Sequence, residues 1–156
     1  MIAVIGEASP RVEDRKFLTG AGKYLDDLEF PDVCHAVFIR SPHAHARILS
    51  LSAAIAKEMP GVLDIITADD VELSKLNALK PFVQENPNTG EAFSFVEQPL
   101  LARNVVRYQG EPVVLVVAET VAQALDASEV VEIEYSPLPH VVDGKEAAST
   151  DSIKLN

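Results

Sequence analysis

The segment that most limits the fold is Val113–Ala118, an unbroken apolar run followed at once by a helix signal. A short, wholly apolar run is typical of a strand buried at the centre of a sheet. Thr120 and Gln123 have the spacing of a capping box, in which a hydroxyl and a side chain three residues later satisfy free backbone amides. The sequence therefore predicts a central strand and then a helix that runs to about Glu129.

That helix is expected to bury Val121 and Leu125, and the segment after it, Val130–Tyr135, alternates between apolar and acidic residues. Alternation with a period of two is typical of a strand with one buried and one solvated face. Further elements are predicted upstream: strands at Val33–Ile39, Ala46–Leu51, Val62–Ile66 and Val105–Tyr108, a helix from Ser52 to Pro60-Gly61, and a helix from Thr67 to near Leu76. This order indicates the α+β or α/β class, with a mixed sheet and two to three helices.

The chain has the size of one domain, and its irregular segments divide it into three parts. Its 156 residues lie within the ~100–200 residues of a single domain. We predict an N-terminal arm at 1–31, a folded domain at 32–147 and a tail at 148–156. Within the domain, residues 77–104 are predicted to be an irregular insertion, since they contain three prolines and the turn cluster Asn86–Gly90.

Charge and cysteine content exclude several classes of function. Acidic side chains number 24 and basic ones 13, and the resulting net charge of −11 repels a phosphate backbone, so no nucleic-acid partner is expected. Cys34 is the only cysteine, which excludes an internal disulfide, a cysteine zinc cage and a cysteine-bound iron–sulfur cluster within this chain. No segment approaches the ~18 apolar residues of a membrane span, and none resembles a signal peptide. We expect a cytoplasmic protein without a membrane span.

One motif, His43-Ala44-His45, has the spacing of a partial metal site. In an extended chain the two imidazoles would point to the same side and offer two corners of the site. A third ligand would have to come from His35, His140 or a carboxylate. Two ligands specify little, so we favour a turn after Pro42 whose histidines bond backbone or acidic groups, and no metal site is predicted.

Five blocks of residues follow one another along the chain, and their order carries more information than any single motif. They are Arg11–Asp14 with Leu18–Asp27, Ile39–Ile48, Pro60–Val62 with Asp69-Asp70, Pro99–Leu101 with Val106–Val113, and Ala124–Ala127 with Val131–Pro139. Together they resemble the large subunits of molybdenum hydroxylases, the family of xanthine dehydrogenase and aldehyde oxidase. The opening block is most similar to the aerobic carbon monoxide dehydrogenase type.

The resemblance implies the α/β-hammerhead fold, an α+β single domain, as the N-terminal structural domain of a molybdopterin-dependent oxidoreductase. Such enzymes hydroxylate a carbon centre or oxidise carbon monoxide, with water as the oxygen source. Electrons leave through iron–sulfur clusters and FAD on other subunits or domains. The implied partners are the remaining large-subunit domains, an iron–sulfur subunit and a flavin subunit.

The family's pterin-binding loops and catalytic glutamate lie in later domains, and no residue of this chain matches them. No catalytic, cofactor-binding or metal residue is therefore assigned, and the chain alone is expected to be inactive. The chain ends about where the next domain is expected, so the resemblance implies a domain separated from a longer subunit.

The expected role is that of a scaffold with a contact surface. The residues expected to contact missing domains or subunits, each of which can equally be structural, are Arg40, His43, His45, Gln109, Gly110 and Glu111. The alternative is a free-standing, non-catalytic hammerhead module for binding or assembly. The sequence decides neither substrate nor oligomeric state, although apolar surface left bare by missing domains would favour a homo-oligomer.

Overall fold

The computed structural model describes residues 11–28, 30–73, 78–79, 82, 84–92, 98–149 and 151–153. Backbone contacts divide the chain into one unit that ends at Val33 and another that begins at Cys34. The bounds expected from the sequence, at residues 31 and 147, stay predictions, and the expected end of a helix near Leu76 lies outside the described residues.

The described part of the first unit contains one short helix, α1 (Asp14–Leu18), and a single 3₁₀ turn at Leu25–Asp27. Local hydrogen bonds define both elements. The backbone amide of Arg11 donates to the Asp14 carboxylate at 3.2 Å, and the amide of Tyr24 donates to Asp27 Oδ2 at 2.9 Å. No described side chain of this unit is fully buried.

The second unit contains the remaining helices and the strands. In chain order they are β1 (His35–Arg40), β2 (Ala46–Ser52), α2 (Ala54–Lys57), β3 (Val62–Ile66), α3 (Ala68–Leu73), β4 (Val105–Val106), β5 (Pro112–Ala118), α4 (Val121–Glu129), β6 (Glu132–Pro137) and α5 (Gly144–Ala147). Within the insertion, the turn predicted at Asn86–Gly90 is confirmed. There the amide of Gly90 donates to the carbonyl oxygen of Asn86 at 2.8 Å.

The strands form two three-stranded sheets, ordered β1-β5-β3 and β4-β2-β6. The predicted α+β class is confirmed, and so is the central position of the apolar strand, β5. The single mixed sheet is wrong, because every pairing between described strands is antiparallel. The number of helices was also underestimated, since the described residues contain five short α-helices. Periodicity identifies strands but does not specify their partners or directions, which depend on long-range packing.

Helix α4 packs on the first sheet through its smallest residues. Thr120 caps it as predicted, since its hydroxyl accepts from the amide of Gln123 at 3.2 Å. The expected burial of Val121 and Leu125 is wrong, because both are about half exposed while Ala124 and Ala127 are fully buried. Alanines allow a helix to approach a sheet closely, which places the bulkier residues at the edge of the contact.

Two β-bulges interrupt the register of the first sheet. One lies opposite the step from Ile39 to Arg40, where the pairing on β5 moves from Val114 to Pro112. The residue between them, Val113, is fully buried together with Val114, although strict alternation would place them on opposite faces. The bulge therefore bends the end of β5, at the point where the chain enters from the preceding turn.

Candidate functional site

All six residues expected from the sequence to form a contact surface lie in two adjoining turns, Arg40–His45 and Tyr108–Glu111, here called the paired turns. The amide of Ser41 donates to the carbonyl oxygen of Glu111 at 2.9 Å, and the amide of Gly110 donates to that of Ser41 at 2.8 Å. Arg40 Nη1 also donates to the carbonyl oxygen of Gly110 at 2.9 Å. The structure therefore brings Arg40, Gln109, Gly110 and Glu111 together at the shared end of β1 and β5.

Local sequence explains why the chain turns here. Pro42 cannot donate to a ladder, so β1 ends before it. Ser41 is 2% exposed, and its hydroxyl accepts from the amide of His43 at 3.0 Å, which closes a tight turn. In the opposite turn Gly110 has a φ of +91°, a conformation that disfavours any residue with a Cβ.

Glu111 is the anchor of the second turn, because its side chain is 2% exposed. A buried carboxylate is rare unless it is hydrogen-bonded. Here Oε2 accepts from the backbone amide of Arg107, and the Glu111 amide donates to the carbonyl oxygen of Tyr108 at 3.2 Å. Glu111 therefore shapes the contact surface from beneath, while Arg40 and Gln109 are exposed on it.

The two histidines of the first turn point toward β6 and the residues that follow it. The ring of His43 packs edge-on against Tyr135, with ring centroids 5.0 Å apart. His45 Nδ1 lies 2.7 Å from the carbonyl oxygen of Pro139, and the amide of Leu138 donates to the carbonyl oxygen of His45 at 2.9 Å. The contact of His45 fits the backbone-bonded turn favoured from the sequence, whereas the contact given for the ring of His43 is with an aromatic ring.

Metal ligation was the other interpretation of the two histidines, and it finds no third ligand among the described residues. In that part of the chain, no group of three or more His, Cys, Asp or Glu side chains is placed to hold a metal ion. His140, one of the candidate ligands, instead has Nδ1 3.3 Å from the carbonyl oxygen of Leu138.

Tyr135 was not singled out as a site residue by sequence reasoning. Its hydroxyl is buried and has no hydrogen-bond partner among the described residues, and burial raises the pKa of the phenol. The strand pattern identified Tyr135 as inward-facing, but only the structure shows that its polar atom is unsatisfied. Such an atom is a weak point of the fold beside His43.

Arg40 extends the surface from the paired turns onto the first sheet. Its Cζ atom lies 5.3 Å from the centre of the Phe38 ring, which is 46% exposed. Exposed cation–π contacts of this kind are worth about 0.5–1 kcal/mol. The guanidinium group of Arg40 is therefore held by two contacts, one with the Phe38 ring and one with the carbonyl oxygen of Gly110.

A small cavity of about 230 Å³ lies beside α3, between β2 and Ala102. It is lined mainly by aliphatic side chains, among them Ile48 and Leu51, and an ion pair between Arg103 Nε and Asp69 Oδ1 at 2.9 Å borders it. Sites for cofactors and drug-sized ligands are commonly ~300–1,000 Å³ with converging polar groups. This cavity is smaller than such sites and is lined mainly by aliphatic side chains. None of the described helices has the length and apolar content needed to cross a bilayer.

Comparison with known proteins gives the family. The model for the aldehyde oxidase and xanthine dehydrogenase a/b hammerhead domain matches residues 19–139. The large subunit of nicotine 6-hydroxylase from Paenarthrobacter nicotinovorans is 44% identical over 92% of this chain. Two crystal structures are each 37% identical: quinoline 2-oxidoreductase from Pseudomonas putida 86, with a TM-score of 0.80 over 97% of the chain, and a Cu,Mo-CO dehydrogenase, with 0.73 over 93%.

The chain spans only part of each of these proteins. It covers 17% of the nicotine 6-hydroxylase subunit, 19% of the quinoline 2-oxidoreductase chain and 17% of the CO dehydrogenase chain. The resemblance carried by the five blocks is confirmed, as is the hammerhead fold that it implied. The chain belongs to the aldehyde oxidase and xanthine dehydrogenase a/b hammerhead domain family.

Proposed function

We propose that the chain is the N-terminal structural domain of the large subunit of a molybdenum-dependent hydroxylase of the xanthine, aldehyde or carbon monoxide type. The observation that carries this proposal is the coverage, because relatives at 37–44% identity contain nearly the whole chain as a sixth to a fifth of their length. One of them is a Cu,Mo enzyme by its title. Nothing favours the alternative of a free-standing module.

A molybdopterin-type cofactor would be held outside this chain, by the later domains that the family resemblance implies. The described residues line a cavity of about 420 Å³ beside Arg103, Asn104 and Arg107, but Cys34, the only thiol of the chain, is exposed just before β1. In those same parts of the chain no cluster of metal-ligating side chains forms. Iron–sulfur clusters and FAD would lie on other subunits or domains, and the enzyme would work in the cytoplasm.

The role of this chain would be to present the paired turns to the rest of the enzyme. Arg40 and Gln109 are exposed on that surface, and His43 and His45 fix its other side against β6 and Pro139. Backbone hydrogen bonds and the buried Glu111 hold the turns in one conformation. A preformed surface loses little conformational entropy on contact, which suits a permanent interface with later large-subunit domains or with the iron–sulfur and flavin subunits.

The experiment is to identify the polypeptide that carries this sequence in its source cell by immunoblot, and then to purify it. We expect about 850 residues, since the 144 matched residues are 17% of the nicotine 6-hydroxylase subunit. The purified full-length protein should contain molybdenum, whereas the 156-residue chain alone should contain none and reduce no electron-acceptor dye. A polypeptide of 16.9 kDa without longer forms, or molybdenum bound by the short chain, would refute the proposal.

Pull-down adds a second test, which addresses the partners. The full-length protein is expected to retain an iron–sulfur and a flavin subunit. A Gln109→Glu and Arg40→Glu double variant should lose them, or should loosen the domain toward proteases. Retention of both subunits together with unchanged protease resistance would show that the paired turns are purely structural.

A further inference from the structure

The first sheet has a second apolar face, on the side opposite the core. Antiparallel partners share a face, so Phe38, Leu115 and Ile66 form one row across the three strands. The next row is Ala36, Val117 and Asp64. These six residues are here called the outer face. The alternate residues of the same strands, such as Val37, Ile65 and Val116, lie in the core with α4.

No element among the described residues packs the outer face into the core. Phe38 is 46% exposed, and Leu115, Val117 and Ile66 are partly exposed and lie outside the core cluster. Helix α4 contacts the sheet from the other side, through Ala124 and Ala127. Five of the six outer-face residues are apolar; Ala36 and Phe38 are exposed, and the other three are covered only in part among the described residues.

The second sheet provides a comparison, because one face of its strand β6 is exposed to solvent. There β6 alternates, with Ile133 and Tyr135 inward and the acidic Glu132 and Glu134 exposed. Strand β5 does not alternate in this way, since both of its faces are aliphatic. An aliphatic residue on each face is typical of strands covered on both sides. The sequence of β5 is therefore adapted to a cover that the described residues do not provide.

The outer face continues directly into the paired turns. Arg40 lies over the ring of Phe38 and donates to the carbonyl oxygen of Gly110 at 2.9 Å. Arg40 and Asp64 supply opposite charges at two borders of the apolar rows. One continuous surface thus combines an aliphatic centre with a polar rim, which is the usual composition of a protein contact.

We propose that a segment of the same polypeptide, outside these 156 residues, covers the outer face with apolar side chains. This inference rests on the proposed function, because it needs a longer large subunit. Relatives carry this domain as less than a fifth of their chains, so most of the polypeptide is available to cover it. A tethered segment also has a high effective concentration and needs little contact area. A second copy needs roughly 20–30 residues a side, against six here.

Hydroxyl-radical footprinting with mass spectrometry tests the inference in the full-length subunit. The oxidation rate of Phe38 should fall about fivefold from the 156-residue chain to the full-length protein, as a half-exposed ring becomes part of a packed interior. Ile55 on α2, 65% exposed and outside the outer face, is the matched control and should keep its rate. Equal rates for Phe38 in both proteins would overturn the inference.

A variant separates covering from general compaction. In the full-length subunit, Phe38→Asp should raise the oxidation rate of Leu115 to that of the short chain, while Ile55→Asp leaves Leu115 protected. A protected Leu115 in the Phe38→Asp variant would contradict the inference, as would protection that appears only in a sedimenting dimer of the short chain. If Phe38 and Leu115 are not protected in a full-length subunit that contains molybdenum, the covering of the outer face is refuted and the proposed function is not. If no longer polypeptide exists, the proposed function itself is refuted.

Discussion

Replacing Glu111 by alanine removes the only side chain among the described residues that is both acidic and buried. The backbone amide of Arg107 then loses its carboxylate acceptor, and a buried methylene is lost with it. Hydrogen bonds to charged groups contribute about 1.5–3 kcal/mol, and a buried methylene about 0.8 kcal/mol. We therefore expect the free energy of unfolding of the Glu111→Ala variant to fall by about 2–4 kcal/mol.

Urea unfolding followed by circular dichroism measures this loss, with Glu132→Ala as the control. Glu132 is exposed on β6, and its replacement should stay within about 0.5 kcal/mol of the parent. Hydrogen exchange should also accelerate at the amides of Ser41 and Gly110, which bond across the paired turns. If Glu111→Ala is no less stable than Glu132→Ala, the carboxylate does not anchor the turn and the argument is wrong.

Three further perturbations test local features. Thr120→Ala removes the cap on α4 and should lower the free energy of unfolding by about 1 kcal/mol in a urea titration, whereas Thr120→Ser should retain most of it. Gly61→Ala should cost about 1 kcal/mol or more by thermal melting, because φ is +79° and a new Cβ would meet the Gln123 amide group. The pKa of Asp70 lies below its ordinary 3.8, because it accepts from the backbone amide and then the hydroxyl of Thr67. A lowered folded-state pKa stabilises the protein above pH 3.8 and loses that contribution as pH falls through the folded value. NMR titration should show the low pKa, and Asp70→Asn should flatten the acid limb of the stability curve.

The predicted elements agree with the structure where the pattern is local. The alternation of Val130–Tyr135 predicted one buried face, and in β6 Ile133 and Tyr135 are partly buried against the core while Glu132 and Glu134 are exposed. The cap at Thr120 likewise depends on residues three apart. The helix before β3 was placed less well, since Ser52 lies in β2 and pairs with Glu132, while the helix begins after Ala53. Ser52 is a good cap by type, but pairing within the sheet competes for the same backbone.

The candidate surface could be predicted in part. Arg40, Gln109, Gly110 and Glu111 were chosen as two separate turns, and backbone hydrogen bonds join them although about 70 residues lie between. No short-range pattern reveals that contact. Nor does any pattern show that Glu111 is buried while Gln109 is exposed, since both are polar residues in a turn. Whether these residues contact a partner stays a prediction.

The sequence by itself determined the kind of domain: its elements, its central strand and its family, because these depend on periodicity and on ordered blocks of residues. Only the tertiary structure decided that the strands form two antiparallel sheets, that alanines rather than Val121 and Leu125 face the sheet, and that β5 has a second apolar face outside the core cluster. Each of these depends on which distant residues lie opposite one another. The pairing of distant residues depends on how the whole chain packs, so it cannot be predicted from a local sequence pattern.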